Sequence, residues 1–248
     1  MTCDAPCRLL DWDSKFFGRR IARANANRLT REGLRHIQGW CEAERIDCLY
    51  FLADSADAET VKLAEEANFH LVDVRMTLGG DLAEITPDRG SANVRPFQPA
   101  DLPGLKEIAR VSHRDSRFYY DRNFPRPLCD RLYETWIENS TRGYAQAVLV
   151  GEHQARPAGY ITCHFAVAGG GQIGLFAVAQ GAQGHGIGQQ LVLAALGWFK
   201  RQRASEVTVV TQGRNVRGQR RYQNCGFSTR SVELWYHYWP GLRASGGA

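Results

Sequence analysis

Helical and strand periodicities alternate along the second half of the chain. Residues 93–97 have strand character, and Pro99-Ala100-Asp101-Leu102-Pro103 then opens a segment in which Leu105, Ile108, Ala109 and Val111 recur at helical spacing. The pattern predicts a second helix over 128–138 and strands over 146–150, 159–166 and 173–178; three strands in succession favour antiparallel neighbours. Residues 188–203 read as an amphipathic helix with Leu191, Val192, Ala195, Leu196 and Phe199 on one side. A buried strand over 206–211, a short helix over 216–224 and a strand over 227–239 complete an α/β pattern with a mixed, largely antiparallel sheet.

The first half repeats part of this order. A strand at 51–54, a helix at 58–67, Asn68-Phe69 and a strand at 72–78 match the elements from Val209 onward without gaps. Ala64 and Tyr222, like Phe69 and Phe227, are 158 residues apart. The match reads either as a degenerate duplicate or as chance agreement between two strand-helix-strand units. Asp57 falls where Asn215 stands, Ala64 falls where Tyr222 stands, and the first half has no glycine-rich loop. Pro87, Gly90 and Ser91 mark 86–92 as a linker. The expected domains are therefore a smaller α/β domain at 1–85 and a larger one at 93–240, with a loose tail at 241–248.

Composition narrows the function classes. The 248 residues carry 31 Lys+Arg and 26 Asp+Glu, a net charge of +5 that is too small for a dedicated nucleic-acid clamp. With 44% hydrophobic and 23% charged residues the chain has material for a core and no signature of disorder. No run approaches the roughly 18 apolar residues of a membrane span, and the N-terminus lacks a basic start and an apolar run, so a cytoplasmic protein is expected. The seven cysteines are scattered, with no Cys-x-x-Cys pair, and argue for small core residues over disulfides or zinc. Cys3 and Cys7 alone could share a helical turn.

The chemistry concentrates in two stretches. From Ile173 to Leu191 a buried strand enters a loop containing Gly181, Gly184, Gly186 and Gly188, and the loop opens a helix. Such a loop brings backbone N–H groups of a first helical turn close to a ligand, and the helix dipole favours an anion such as a pyrophosphate. The spacing is neither that of a P-loop nor the Gly-x-Gly-x-x-Gly of a dinucleotide fold. The second stretch, Asn215 to Phe227, sets Asn215 and Tyr222 seven residues apart, on one helical face.

Gln183-x-x-Gly186-x-Gly188 after Phe176-Ala177-Val178, followed by Asn215, Tyr222 and Gly226-Phe227, resembles the coenzyme A loop and second signature of the Gcn5-related N-acetyltransferase (GNAT) superfamily. The resemblance spans about 93–239. Leu9 to Gly18, Ser116-Arg117-Phe118 and Leu234-Trp235-Tyr236 are similar, more narrowly, to the dTDP-fucosamine acetyltransferase group. Two positions depart from the superfamily pattern: Gln180 replaces a common proline, and Gly218 a common alanine.

The resemblance implies an acetyl-CoA-dependent N-acetyltransferase without a metal, in which a primary amine attacks the thioester directly. Pantetheine would lie along Phe176, Ala177 and Val178. Gln183, Gly184, His185, Gly186, Ile187, Gly188 and Gln189 would cradle the pyrophosphate, Asn215 would touch the coenzyme arm, and Tyr222 would give a proton to the departing sulfur. Asn215 is equally suited to cap a helix, and His185 to face solvent. For the general base His164, His113 and Asp115 stand beside a water relay. Arg117, Phe118, Tyr119 and Tyr120 either wall the acceptor site, suiting a dTDP-amino sugar by charge and stacking, or pack onto the N-terminal domain. Arg214, Arg217, Arg220 and Arg221 crowd the short helix as coenzyme phosphate partners or as a solvated face. The acceptor is expected to be a small-molecule amine, with neither nucleic acid nor membrane as partner, and the protein a monomer or homodimer. Another amine acceptor, or a non-catalytic acyl-CoA-binding module, are the alternatives.

Overall fold

The computed structural model of the protein describes residues 5–84, 93–166 and 170–241; the expected linker and most of the tail, and Cys3, lie outside them. In chain order the elements are β1 (Cys7–Leu9), α1 (Asp11–Phe17), β2 (Ile21–Ala24), α2 (Arg31–Ala43), β3 (Cys48–Asp54), α3 (Ala58–Glu66), β4 (His70–Asp81), β5 (Val94–Pro96), α4 (Leu102–Ser112), α5 (Arg117–Tyr120), α6 (Arg126–Asn139), β6 (Ala147–His153), β7 (Arg156–Phe165), β8 (Gly171–Val178), α7 (Ile187–Arg201), β9 (Glu206–Gln212), α8 (Val216–Gln223) and β10 (Ser228–Tyr238). The fold is α/β with mixed, mostly antiparallel strand pairing. Among the described residues no helix is long and apolar enough to cross a membrane.

The elements sort into two compact units, neither of them one stretch of chain. The first takes residues up to Arg75 together with Arg117–Leu128 and the chain from Val232; the second takes Met76–Ser116 and Cys129–Ser231. Burial explains why Arg117–Leu128 joins the first unit. Phe118 and Phe124 are 1% and 2% exposed and pack with Phe17, Tyr50 and His237. This stretch contains the short helix α5, with Phe118 and Tyr119 buried in a core.

In the first unit β1 pairs antiparallel with β2, β2 parallel with β3, and β3 antiparallel with β10. One face of these strands, with Ala22, Leu49, Phe51 and Tyr236, meets Ile37 and Cys41 of α2 and Leu63 and Ala64 of α3. In the second unit β5, β6, β7 and β8 form an antiparallel run, and β9 joins β8 in parallel. Leu191, Val192, Ala195, Leu196 and Phe199 of α7, all fully buried, close over Ile161, Ile173, Val207 and Val209. Leu105, Ile108 and Ala109 of α4 are buried as expected, but Val111 is exposed. At about 100° per residue Val111 lies some 120° away from Leu105, off the apolar face.

The offset of 158 extends to hydrogen bonds. Asp57 caps α3 by accepting from Thr60 N–H at 2.8 Å, and Asn215 caps α8 by accepting from Gly218 N–H at 2.9 Å. Phe69 N–H reaches Ala64 C=O at 2.9 Å, and Phe227 N–H reaches Tyr222 C=O at 3.1 Å. Asn68 and Gly226, the left-handed residues that end the two turns, have φ of 62° and 90°. Both strand-helix-strand units therefore use the same start and stop chemistry.

Packing at the β7–β8 junction is tight enough to test. A Cβ at Gly159 would lie 2.8 Å from the Ala177 carbonyl oxygen and 3.0 Å from Leu191 Cδ1. Gly159→Ala should cost about 1–3 kcal/mol, read as a lower urea midpoint at unchanged m.

Candidate active site

The candidate site of the second unit begins where a strand pair stops. β8 and β9 are in register at Gly171↔Val207, Gln172↔Thr208 and Ile173↔Val209, and no further. β8 nevertheless runs on to Val178 and β9 to Gln212. On its other edge β8 stays paired with β7 as far as Gly159↔Val178, with a register shift between Ile161 and Cys163. There Thr162 Oγ1 takes the place of a backbone carbonyl and accepts from Leu175 N–H at 2.8 Å. Phe176, Ala177 and Val178 thus occupy a strand segment that β9 leaves open.

Beyond Val178 the chain makes a single turn over Gln180–Ala182 and enters α7 through Gly184 and Gly186, at φ of +91° and +76°. Side chains are strained at such angles, which accounts for both glycines. No side chain caps α7, so the N–H groups of its first turn, Ile187 and Gly188 among them, keep their outward donors. Residues 179–190 contain no carboxylate to compete for them. Gln183 is tied down at both ends: its Oε1 accepts from Arg217 Nη1, and its Nε2 donates to Val178 C=O at 3.4 Å. Gly188 admits α8, since a Cβ there would come within 2.9 Å of Arg221 Nε. Arg217, Arg220 and Arg221 line a cavity of about 400 Å³ with Gln189, Val216 and Asn224. His185 stacks on His153 at 4.5 Å and is exposed.

Helix α8 brings the other predicted residue to the open strand. Tyr222 is 4% exposed, and its ring centroid lies 5.8 Å from that of Phe176 on β8 and 5.6 Å from that of Phe227. Burial raises the phenol pKa above its ordinary value, so Tyr222 is a neutral donor at physiological pH. Asn215 is occupied within the fold: Oδ1 caps α8, and Nδ2 donates to Thr211 Oγ1 at 3.0 Å. This geometry explains the glycine at 218, where a Cβ would meet Asn215 Nδ2 at 2.5 Å. The arrangement joins an open strand edge, an uncapped helix start with arginines beside it, and a neutral phenol.

Residues 108–227 match the family described as the acetyltransferase (GNAT) family. The matched stretch is a GNAT acetyltransferase domain. Over 156 residues the chain is 29% identical to the spore coat polysaccharide biosynthesis protein SpsD of Bacillus subtilis (strain 168), covering 60% of this chain and about half (51%) of that protein. It is 25% identical to the dTDP-fucosamine acetyltransferase of Escherichia coli O6:H1 over 92% of this chain and 96% of that one. The crystal structure of a GCN5-related N-acetyltransferase from Sphaerobacter thermophilus superposes with a TM-score of 0.66 at 14% identity, over 94% of this chain and 76% of the other, and shares the fold.

Within the GNAT domain the three base candidates differ in their surroundings. His164 Nε2 is 3.0 Å from Thr162 Oγ1, beside the last paired residues of β8, and burial lowers its pKa, which leaves it neutral. His113 is bonded through Nε2 to Tyr160 Oη at 2.8 Å and stacks on Tyr133 at 4.3 Å. Asp115 contributes its backbone carbonyl to Arg214 Nη1 at 3.1 Å.

Arg117, Phe118, Tyr119 and Tyr120 belong to the first unit. Phe118 and Tyr119 are buried there, Tyr119 beneath the Arg126 guanidinium, and Tyr120 is 53% exposed. Sequence reasoning left Arg217 and Arg221 between coenzyme phosphate partners and a solvated face; the structure sets Arg217 on Gln183 and Arg221 beside Gly188. Their spacing of four residues on one helix face was the available signal.

Desolvation depresses the His113 pKa to about 4, from 6.5 when exposed. A neutral folded histidine with a depressed pKa stabilises the fold above pH 6.5 and loses that contribution as the pH falls toward 4, because the unfolded chain takes up the proton first. The thermal midpoint should therefore drop between pH 7 and pH 5, and the drop should be smaller in His113→Gln.

Proposed function

We propose that the protein is an acetyl-CoA-dependent N-acetyltransferase whose acceptor is the primary amine of a nucleotide-linked amino sugar. The observation that carries the reading is the coincidence, in one unit, of the open β8 edge, the uncapped start of α7 and Tyr222 against Phe176. The residues fit coenzyme A. A pyrophosphate suits the N–H groups of Gly184 to Gly188, where no carboxylate opposes it, and Arg217, Arg220 and Arg221 supply positive charge beside Gln189. The pantetheine amides suit the backbone groups of Phe176 to Val178 that β9 does not pair. The coenzyme supplies the acetyl thioester when bound.

The protein's own residues then have three tasks. Backbone N–H groups along the open strand polarise the thioester carbonyl as negative charge develops on its oxygen. Fixed binding of both partners removes the entropy cost of bringing amine and carbonyl together. Tyr222 donates a hydrogen bond to the departing sulfur. Because its pKa is raised, full proton transfer to a thiolate with a conjugate acid near 8.5 is uphill, and the gain lies in stabilising the developing charge. The name of the E. coli relative supports the nucleotide-linked sugar as acceptor.

Tyr222→Phe should lower kcat by about 10²-fold while leaving the acetyl-CoA Kd from calorimetric titration nearly unchanged. Equal losses of rate and binding would remove Tyr222 from the chemistry. Gly186→Glu, which sets a carboxylate at a φ of +76° among the loop amides, should abolish acetyl-CoA binding. A folded wild type that binds no acetyl-CoA would overturn the proposal. Acetylated product from a dTDP-amino sugar, followed by mass spectrometry, tests the acceptor.

A further inference from the structure

The first unit has a second cluster of chemistry on the sheet face opposite its helix-covered core. Its strands align Arg8 with Arg23, Arg23 with Tyr50, and Tyr50 with His237, a single register row across β1, β2, β3 and β10. The neighbours Cys7, Ala22, Leu49 and Tyr236 lie in the core on the other face. Two arginines directly opposite one another on antiparallel strands repel. Among the described residues neither forms an ion pair.

More positive charge converges on the same row. The Arg23 guanidinium lies 5.0 Å from the Trp235 ring centroid, and that of Arg117 lies 4.5 Å from the same ring and 4.7 Å from that of Tyr50. Arg8, Arg117 and Arg75 all act on Arg23, whose pKa is lowered by burial first and then by these three charges. The carboxylates nearby are fewer. Glu233 pairs with Arg75, Asp13 faces Arg117, and Asp121 is held by His237 at 2.7 Å and Trp239 at 2.9 Å. Four guanidinium groups thus outnumber three carboxylates. Arg117 Nε is buried without a hydrogen-bond partner, a donor that folding alone leaves unsatisfied.

We propose that Arg8, Arg23, Arg75 and Arg117, gathered around Trp235, form a binding site for the diphosphate of a nucleotide-linked substrate. Planar guanidinium forks drawn from three strands and from α5 match the many acceptor oxygens of an extended polyanion better than a single carboxylate. An anion there offsets the Arg8–Arg23 repulsion and gives the Arg117 donor a partner. The choice of a nucleotide diphosphate over other polyanions rests on the acceptor reading proposed above.

The test is a calorimetric titration of the full chain with thymidine diphosphate, run in parallel on Gly186→Glu, where the coenzyme loop carries a carboxylate. Wild type and Gly186→Glu should bind the nucleotide alike. Arg23→Gln should weaken binding at least tenfold, and Arg8→Gln, at an exposed position that leaves the fold intact, severalfold. No binding by folded wild type, binding unchanged in both arginine variants, or binding lost only in Gly186→Glu would each overturn the site. If arginine-dependent binding persists but no amino sugar is acetylated, the acceptor proposal falls and the site stands.

Discussion

Strand pairing that ends early is the constraint on which the GNAT domain depends. Three residues of β8 are in register with β9, and the next five are not. Buried backbone donors and acceptors need partners, so an opening of this kind persists only if something holds it and something can occupy it. Tyr222 and Phe176 fill the protein side of the opening with aromatic surface, and Thr162 satisfies Leu175 from the paired edge. The loop and α7 follow directly from the last residue of the open segment, which sets the helix start at one end of the exposed backbone.

Much of this was legible in the sequence, for physical reasons that can be named. The period of α7 and the alternation of β6 to β9 reflect burial on one face or both, and burial is written in residue type. The glycines at 184 and 186 and the cap at 215 report local backbone geometry, which neighbouring residues fix. The resemblance carried over Phe176 and Tyr222, and the fold puts their rings side by side.

What could not be read depended on distant partners. No element was predicted over Arg117 to Tyr120, because four residues cannot display a period. Their helix exists because Phe118 meets Phe17, Tyr50 and Phe124. Asn215 was read both as a helix cap and as a coenzyme contact; its bond to Gly218 is that cap, and only its further bond to Thr211 depends on the turn from β9 into α8. The arginine row of the first unit was invisible for the same reason. Arg8, Arg23 and Arg75 are far apart in sequence, and only strand register makes them neighbours.

The matching start and stop signals of the two strand-helix-strand units bear on how the chain finds its native state. A chain carrying two segments with the same capping and turn geometry contains two contenders for each strand position during refolding, a source of mispaired intermediates in multidomain proteins. Local signals cannot distinguish them, because Asp57 and Asn215 start their helices alike and Asn68 and Gly226 end them alike. Discrimination falls to the buried side chains that differ. Ala64 is fully buried under the first sheet, and the Tyr222 ring would not fit where a methyl group packs. The difference in size between Tyr222 and Ala64 thus keeps the α8 segment out of the place of α3, where the local signals alone agree.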